Sequence, residues 1–486
     1  MSRIPDHQPA PALLASARRY LSSLVAPTIR LGVTGLAGAG KTVFITALIR
    51  NLTASGRLPF FKAVAEGRII AAYLEPQPDD DIPRFDYERH IASLLQQPPS
   101  WPESTRRISQ LRLTVEYLPA NALWRNLGPQ KLHIDIMDYP GEWLADLQML
   151  EQSYQQWSAA QMLLARTPFR AKAAGGWLEH AQTIDPAATQ DETTARVAAE
   201  IFTSYLDAAR RTGASLGTLG PGRFMMPGDL ESSPMLTFVP LDIEPEAPIA
   251  PATTAAMMAR RYESYKAKVV KPFFRNHFAR IDRQIVIVDA LAALNHGPEA
   301  IEQLTNALEI SLRAFRPGAR SWLSRILDRR IDRILYAAAK ADHLPHTSHD
   351  RLEAALRLVI GTAAERAATA GGDVRVMALA AIRATRELKT MDANEELFCV
   401  QGTPLPGETL DGRTFDGDKE VVVFPGDLPA DPAEAVRQRT GPLDVRFVRF
   451  RPPPLSDPLG TEITGKPWPH IRLDRALEFL FGDYLR

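Results

Sequence analysis

The chain of 486 residues lacks several features that would place a protein in a class at once. It has a single cysteine, Cys399, so an intramolecular disulfide is excluded, and we expect the protein to work in a reducing compartment. Lysine plus arginine and aspartate plus glutamate each number 57, which leaves no excess positive charge to favour nucleic acid as a general partner. These absences favour a cytoplasmic protein that does not bind nucleic acid.

Long hydrophobic runs are also absent. No apolar stretch approaches the length that spans a bilayer, and the first 30 residues lack the pattern of a cleavable signal. A helix predicted within residues 1–28 places Leu13, Leu14 and Leu21 near one face, which is the one candidate for peripheral membrane contact. Because that face is short and has only two basic residues near it, we expect the helix to pack on the protein.

The sequence does contain a glycine-rich loop of informative spacing. GLAGAGKT at 35–42 fits G-x-x-x-x-G-K-[ST], after an apolar stretch that predicts a buried strand and before a periodic stretch that predicts a helix. Glycines let successive backbone N–H groups turn toward phosphate oxygens at the helix N-terminus. Lys41 would reach the β and γ phosphates, and the Thr42 hydroxyl would bind Mg²⁺. The predicted nucleotide-binding residues here are Gly35, Gly38, Ala39, Gly40, Lys41, Thr42 and Val43.

A second segment, KLHIDIMDYPGEWL at 131–144, predicts a strand that ends at Asp138. An aspartate at the carboxyl end of a strand is well placed to hold the magnesium shell, and Gly141 can give its N–H to a γ phosphate. Glu142 follows, where a carboxylate would orient the attacking water or slow hydrolysis by repelling the γ phosphate. The alternative is a surface acid at a helix N-terminus, where negative charge is favourable.

The interval 56–104 is predicted to be an insertion in the region that carries the first switch of GTPases. Thr105 is the candidate threonine for Mg²⁺, and Arg106 and Arg107 are candidates to supply positive charge to the γ phosphate. The alternative is that these residues form the solvated entrance of a strand.

Base recognition is predicted where an apolar strand pattern runs into Ala339-Lys340-Ala341-Asp342. This approximates the guanine-binding motif [NT]-K-x-D, in which the Asp342 carboxylate would accept hydrogen bonds from guanine while the Lys340 stem lies over the ring. Adenine would leave that acceptor unpaired. Ala339 departs from the polar first residue of the motif, which leaves adenine nucleotides open as the alternative.

Two further residues complete the predicted nucleotide site. His343 follows the base-binding loop directly, and Ala381 follows the next predicted strand, 373–379, where its backbone N–H could meet the guanine O6. Elsewhere, strands are predicted at 420–424 and 445–450, and an amphipathic helix is predicted near the carboxyl end.

With its motifs in this order, the chain resembles the YcjX family of bacterial P-loop proteins. The segments that carry the resemblance are GLAGAGKTVFITALIRNL at 35–52, DYPGEWL at 138–144, PGRFMMPGDLESSPMLTF at 221–238, AAKADHL at 338–344, ALAAIRATRE at 378–387 and PHIRLDRALEFLFGD at 469–483. The family is described as predicted ATPases or GTP-binding proteins of the stress response. The resemblance therefore implies an α/β P-loop nucleoside triphosphatase domain that carries a helical insertion.

The expected organisation is a core of residues 29–150 and 280–400 with a mostly parallel, GTPase-like sheet. Residues 151–279 are predicted to form a mainly helical insertion, and residues 401–486 a small α+β extension packed on the core. We expect a Mg²⁺-dependent switch that binds GTP and GDP, hydrolyses GTP slowly and acts on an unidentified protein partner. An ATP- and ADP-binding ATPase or kinase, or a nucleotide-stabilised scaffold with little turnover, are the alternatives.

Overall fold

The structure, a computed structural model, describes residues 26–36, 38–54, 56–103, 107–126, 128–211, 220–225, 227, 230–315, 331–369, 372–392, 395–436, 447–456 and 468–486. Residues 1–25 of the predicted amino-terminal helix lie outside these ranges. The candidate switch residues Thr105 and Arg106 also lie outside them.

A sheet of seven strands forms the centre of the described chain. The strands are β1 (Thr28–Gly35), β2 (Ile69–Glu75), β3 (Ser109–Tyr117), β4 (Gln130–Asp138), β5 (Arg283–Val288), β6 (Arg333–Ala338) and β7 (Asp373–Ala378). Their order is β2-β3-β4-β1-β5-β6-β7, and β3 runs antiparallel to both of its neighbours while the other pairs are parallel. The α/β class with a mostly parallel sheet is therefore confirmed.

Helices cover both faces of this sheet, as buried parallel strands require. In chain order the described α-helices are α1 (Lys41–Thr53), α2 (Lys62–Ala65), α3 (Tyr87–Leu95), α4 (Ala122–Arg125), α5 (Tyr154–Ala165), α6 (Pro168–Gln182), α7 (Glu192–Arg211), α8 (Gly222–Met225), α9 (Thr254–Tyr265), α10 (Lys271–Asn276), α11 (Ala290–His296), α12 (Pro298–Phe315), α13 (His349–Thr369), α14 (Pro432–Val436) and α15 (Leu473–Phe481). None of these helices combines the length and the apolarity needed to cross a membrane.

The sheet separates two hydrophobic cores. On one face, Phe44 and Leu48 of α1 and Leu477 and Leu480 of α15 pack in one buried cluster with strand residues such as Ile134. The other face packs against helices that include α12 and α13. Helix α1 begins at the glycine-rich loop, so this packing fixes the loop at the carboxyl end of β1.

The carboxyl-terminal helix is joined to the sheet by polar contacts as well. The Arg283 side chain of β5 is almost fully buried, and its guanidinium donates to the Leu480 carbonyl at 2.8 Å and to the Asp483 carboxylate at 2.7 Å. Tyr117 of β3 donates its hydroxyl hydrogen to the Tyr484 carbonyl at 2.9 Å. These bonds anchor α15 and the residues that follow it to two strands of the sheet.

Six of the described α-helices, α5 to α10, lie between β4 and β5 in the chain. Helix α5 begins with a capping box, in which the Ser153 hydroxyl accepts from the Gln156 N–H and the Gln156 side chain accepts from the Ser153 N–H. Trp157 of α5 contacts Phe238 and Tyr262 with ring centroids 5.3 Å apart in both cases. This aromatic cluster is continuous with the hydrophobic core on one face of the central sheet, so the helical region packs on the sheet.

The interval 56–104 contains α2, α3 and the edge strand β2, so part of the predicted insertion belongs to the central sheet. A second sheet follows the first, with β8 (Arg386–Asp392), β9 (Glu395–Gly402) and β12 (Val421–Val423) in the order β12-β9-β8. Strands β10 (Thr409–Leu410) and β11 (Arg413–Thr414) form a small hairpin beside it. The strand predicted at 445–450 is wrong in its described part, where Phe450 alone pairs, in an isolated bridge with Pro404.

Candidate functional site

The glycine-rich loop connects β1 to α1. Gly40 is the N-cap of α1 and has a left-handed backbone with φ of 104°, a conformation that other residues rarely adopt. The loop turns tightly, because the Ala39 N–H donates to the Leu36 carbonyl at 3.1 Å. No acidic side chain occupies the first turn of α1, so the partial positive charge of the helix N-terminus is available to an anion.

Lys41 places a positive charge at this helix N-terminus. The residue is only 5% exposed, and its ammonium donates to the Gly35 carbonyl at 2.6 Å. The partner in this hydrogen bond is a neutral carbonyl and not a carboxylate. We therefore expect Lys41 to contact phosphate oxygens in this loop.

Two buried side chains with oxygen atoms that could bind a metal lie at the carboxyl edge of the sheet, near the ends of the neighbouring parallel strands β1 and β4. Thr42 follows Lys41, and its hydroxyl donates to the Glu103 carbonyl at 3.4 Å. Asp138 ends β4, is 1% exposed and lies opposite Val33 of β1 in the strand register. A hydroxyl and a carboxylate are the oxygen ligands that Mg²⁺ prefers, so this donor set fits the metal predicted from the sequence.

The segment after β4 packs directly on the glycine-rich loop. A Cβ atom at Gly141 would lie 3.0 Å from the backbone carbon and oxygen of Gly35, so a larger residue would require this backbone to shift by a few tenths of an ångström. The Thr34 hydroxyl donates to the Tyr139 carbonyl at 3.3 Å, and the Tyr139 hydroxyl donates to the Gln284 side chain at 2.8 Å. Strands β1, β4 and β5 are thereby fixed to one another beneath the loop.

Glu142 follows this glycine and lies in the first turn of a 3₁₀ segment, Gly141–Glu151, that leads into the helical region. The residue is 6% exposed, so the alternative in which it is a surface acid is wrong. A carboxylate buried beside Gly141 is close to the region where a terminal phosphate would lie if the loop holds a nucleotide.

The loop predicted to bind the base follows β6. Lys340 adopts a left-handed backbone, and its ammonium forms an ion pair with the Asp289 carboxylate at the end of β5. The Ala339 N–H donates to the Val288 carbonyl at 2.8 Å, so the backbone at this position is anchored although the side chain is only a methyl group. The loop is therefore attached to β5 twice.

Asp342 and His343 are both buried in this loop. Asp342 is 4% exposed, and its Oδ2 accepts a hydrogen bond from the Ala384 N–H at 2.8 Å. Burial lowers the pKa of His343, so its imidazole is neutral at pH 7, and its ring meets the Phe450 edge at a centroid distance of 5.3 Å. One carboxylate oxygen of Asp342 is thus held by the backbone, which fixes the direction of the other.

One cleft of about 600 Å³ joins the two loops, and this volume suits a small molecule. The sequence-predicted residues that line it are Gly38, Ala39, Gly40, Lys41, Thr42, Val43, Lys340, Asp342, His343 and Ala381. Gly35, Asp138, Gly141 and Glu142 lie behind the lining, around the strand ends. Arg107 is exposed and is not part of the lining.

Sequence reasoning missed other residues of the cleft. Asp289 could have been found, because it ends a buried strand as Asp138 does. Arg210 comes from α7 in the helical region and Phe450 from the carboxyl-terminal region, and no local pattern in the sequence places either one here. Trp101 donates its indole N–H to the Phe450 carbonyl at 2.7 Å, so two distant parts of the chain meet at the wall of the cleft.

A buried polar cluster connects the Gly141–Glu151 segment to the helical region. Asp146, which is 3% exposed, accepts hydrogen bonds from the Tyr265 hydroxyl at 2.6 Å and from the Gly222 N–H at 2.8 Å. Burial raises the pKa of Asp146 from the usual 3.8 to about 6, although both bonds oppose this shift. The Arg223 guanidinium lies 3.8 Å from the centre of the Trp143 ring. Movement of the segment would therefore disturb helices α8 and α9.

We expect Asp146→Asn to change the pH dependence of stability. The folded protein retains a proton on Asp146 between its unfolded pKa near 3.8 and its folded pKa of about 6, so this contribution to stability is lost as the pH rises through that window. The free energy of unfolding of the variant, relative to wild type, should therefore rise by about 2 kcal/mol between about pH 4 and about pH 7. Urea unfolding followed by tryptophan fluorescence at both pH values measures this difference, and a difference that does not vary with pH would contradict the raised pKa.

Comparison with known proteins adds three findings. The family model described as "YcjX-like family, DUF463" matches residues 29–485. A protein of Escherichia coli strain K12 named "Ras-like GTPase YcjX" is 38% identical over 469 residues, which cover 94% of this chain and 96% of that protein. A protein of Shewanella oneidensis strain MR-1 with the same name is 35% identical over 480 residues, which cover 94% of each chain.

Proposed function

Because the chain belongs to the YcjX-like family, we propose that it binds GTP in this cleft and hydrolyses it slowly. The observation that carries the proposal is the cleft itself, which brings the glycine-rich loop and the Lys340–Asp342 loop together around one cavity. In this proposal residues 29–150 and 280–400 form the nucleotide-binding core, residues 151–279 the helical insertion and residues 401–486 an extension packed on the core.

The phosphates would be held at the amino end of α1. Backbone N–H groups of residues 38–43 and the Lys41 ammonium would contact the β and γ phosphates. Thr42 and Asp138 would hold Mg²⁺, which when bound neutralises charge on the phosphates. In the structure the Thr42 hydroxyl donates to the Glu103 carbonyl, so binding of the metal would require this hydroxyl to turn.

The base would lie against the second loop. One oxygen of Asp342 is held by the Ala384 N–H, which leaves the other to accept from the N1 and N2 donors of guanine. The ion pair between Lys340 and Asp289 anchors the loop where Ala339 lacks the usual polar side chain. The departure at Ala339 is therefore compatible with guanine recognition.

Equilibrium binding of fluorescent GDP and ADP, with and without Mg²⁺, tests the proposal. We expect the full chain to bind GDP at least tenfold more tightly than ADP, because adenine would leave the buried Asp342 oxygen without a donor. Equal affinities, or tighter binding of ADP, would show that the protein is an ATPase or kinase whose base pocket is formed differently.

Hydrolysis would depend on two groups at the phosphate end, of which Glu142 is buried and Arg210 is partly exposed. Glu142, directly after Gly141, would orient the attacking water. Arg210 of α7 lines the cleft, with a side chain about one third exposed and 3.3 Å from the Asp207 carboxylate of the same helix. Helix α7, which carries Arg210, packs on α8. Gly222 of α8 lies against the Glu142 carbonyl. Arg210 and Glu142 are therefore linked through α8. We assign Arg210 to the stabilisation of charge on the γ phosphate.

Replacing Arg210 by alanine should lower the rate of GTP hydrolysis in a single turnover by about 100-fold, while the Kd for GDP changes by less than about threefold. The variant should also fail to bind aluminium fluoride in the presence of GDP, because that complex imitates the charge of the transferring phosphoryl group. Arg196→Ala is the matched control, since this exposed arginine lies on the same helix and pairs with Glu200. Hydrolysis at the wild-type rate in the Arg210 variant would remove this residue from the mechanism.

The conformational switch would act through the Gly141–Glu151 segment. Contacts of Gly141 and Glu142 with the γ phosphate would change when it is released, and the buried Asp146 bonds would transmit that change to α8 and α9. The helical region is therefore the surface on which we expect an unidentified protein partner to distinguish the GTP form from the GDP form.

A further inference from the structure

A second cavity of about 560 Å³ lies between β7, α13 and α15, and it shares no lining residue with the nucleotide cleft. Its size suits a small molecule. Its wall has an unusual concentration of arginine, with Arg333, Arg375, Arg472, Arg475 and Arg486. The carboxylates on the same wall are Asp350, Glu353 and Glu478.

These carboxylates already have partners within the protein. Arg472 pairs with Asp350 at 2.8 Å and also with Glu353, which in turn accepts the Ala378 N–H at 2.9 Å. Glu478 accepts the Lys62 N–H at 3.0 Å. The acids of the wall are therefore bonded to Arg472 or to backbone N–H groups.

Two arginines of the wall differ from Arg472 in this respect. Within the described ranges, no carboxylate lies within 4.0 Å of the guanidinium groups of Arg475 or Arg486, and both residues are exposed. Arg475 lies over the ring of Phe60, 4.4 Å from its centroid, and Phe60 is itself 56% exposed. Arg375 is also exposed, and its guanidinium lies 3.4 Å from the Asp373 carboxylate and 4.6 Å from the centre of the Phe479 ring. The cavity thus has positive charge in excess beside an exposed aromatic ring.

We propose that this cavity binds a small phosphorylated molecule, distinct from the nucleotide of the main cleft. A guanidinium presents two parallel N–H groups that match two phosphate oxygens, which makes arginine better suited than lysine to this task. Arg475, Arg486 and Arg375 would contact the phosphate groups, and Phe60 would cover an apolar part of the ligand.

The backbone connects this cavity to the base-binding side of the cleft. Ile471, directly before Arg472, exchanges two backbone hydrogen bonds with Ala380, of 2.8 Å and 3.1 Å. Ala380 and Ala381 line the nucleotide cleft. A ligand that moves Arg472 would therefore also move the wall of the nucleotide cleft. The nucleotide affinity would change to the extent that the ligand binds one position of this wall more tightly than the other.

Titration calorimetry with inorganic pyrophosphate tests the proposal on the full-length protein. The Lys41→Ala variant is used as the background, because it removes the phosphate site of the cleft and leaves the second cavity intact. We expect it to bind pyrophosphate, and we expect Arg475→Gln together with Arg486→Gln to weaken that binding at least tenfold. Arg386→Gln with Arg413→Gln removes the same charge from the exposed surface elsewhere and should change the affinity less than about twofold.

The proposal is overturned if the Lys41→Ala protein does not bind pyrophosphate, or if both double variants weaken binding equally. Retained circular dichroism and Tm would show that the exposed substitutions leave the fold intact. Pyrophosphate carries no base, so its binding to this cavity does not depend on whether the cleft prefers guanine. Failure of the GTPase proposal and failure of the second-site proposal therefore give different experimental results.

Discussion

Replacing Asp342 by asparagine is expected to change the base preference of the cleft from guanine to xanthine by about 10⁴-fold. The Ala384 N–H occupies one side of this residue at 2.8 Å, and it requires an acceptor. The asparagine carbonyl would satisfy that N–H, so the amide NH₂ would point to the ligand and act as a donor. Guanine presents donors at N1 and N2 and would be rejected, whereas xanthine carries a carbonyl oxygen at position 2 and would be accepted.

The affinities of the wild-type and variant proteins for fluorescent GDP and xanthosine diphosphate measure this exchange. Asp80→Asn is the control, because Asp80 is an exposed aspartate on another part of the chain. If the Asp342 variant binds GDP as tightly as the wild type does, the carboxylate does not contact the base and the guanine assignment is wrong.

Lys41→Ala should weaken the binding of GDP in the presence of Mg²⁺ by about 10³-fold. The Lys41 ammonium is nearly inaccessible to water, so its attraction to phosphate oxygens is screened less than it would be at an exposed site. The stability of the ligand-free protein should change by only about 1 kcal/mol, because the hydrogen bond to the Gly35 carbonyl is the interaction that is lost. The variant should therefore keep its Tm without nucleotide and lose the increase in Tm that nucleotide gives.

Differential scanning fluorimetry over a series of GDP concentrations distinguishes these two effects. Lys62→Ala, at an exposed lysine on α2, should retain the full increase in Tm. A Lys41 variant whose Tm rises with GDP as in the wild type would show that the glycine-rich loop does not hold the phosphates.

The central sheet could largely be predicted from the sequence because most of its strands are buried on both faces. Strands β5 and β6 are short apolar runs, and the strand pattern predicted directly before Ala339 agrees with β6, which ends at Ala338. Each of these strands also ends at a residue with identifiable chemistry, such as Lys340 after β6. The burial pattern and the position of the motif therefore both predict a strand at this place in the chain.

Some of the partly buried strands were not predicted, although β7 and β12 were predicted at 373–379 and 420–424. Strand β2, with sequence IIAAYLE, lies at the sheet edge and has no strong alternation of apolar and polar residues. Strands β8 and β9 carry charged residues such as Lys389 and Glu396 that pair across their exposed surface. Local sequence patterns record burial, and these strands bury too little to leave a clear pattern.

The cleft shows a second limit of prediction from sequence. Motif spacing predicted Lys41, Asp138 and Asp342 at or just after the ends of the parallel strands β1, β4 and β6, and such ends meet at one edge of a sheet even though β5 separates β1 from β6. Arg210 and Phe450 reach the cleft from regions whose position depends on how helices and loops pack over long distances in the chain. No pattern of nearby residues encodes such packing.

The contacts of α15 also bear on how the protein is made. A ribosome releases every strand of the central sheet before it releases Leu473–Phe481. Yet this helix packs on one face of the sheet, and its Leu480 carbonyl accepts a hydrogen bond from the Arg283 guanidinium. Until these residues leave the exit tunnel, the growing chain has an apolar sheet surface and a buried arginine without their partners. We therefore expect nascent chains that stall upstream of residue 473 to expose apolar segments that chaperones bind.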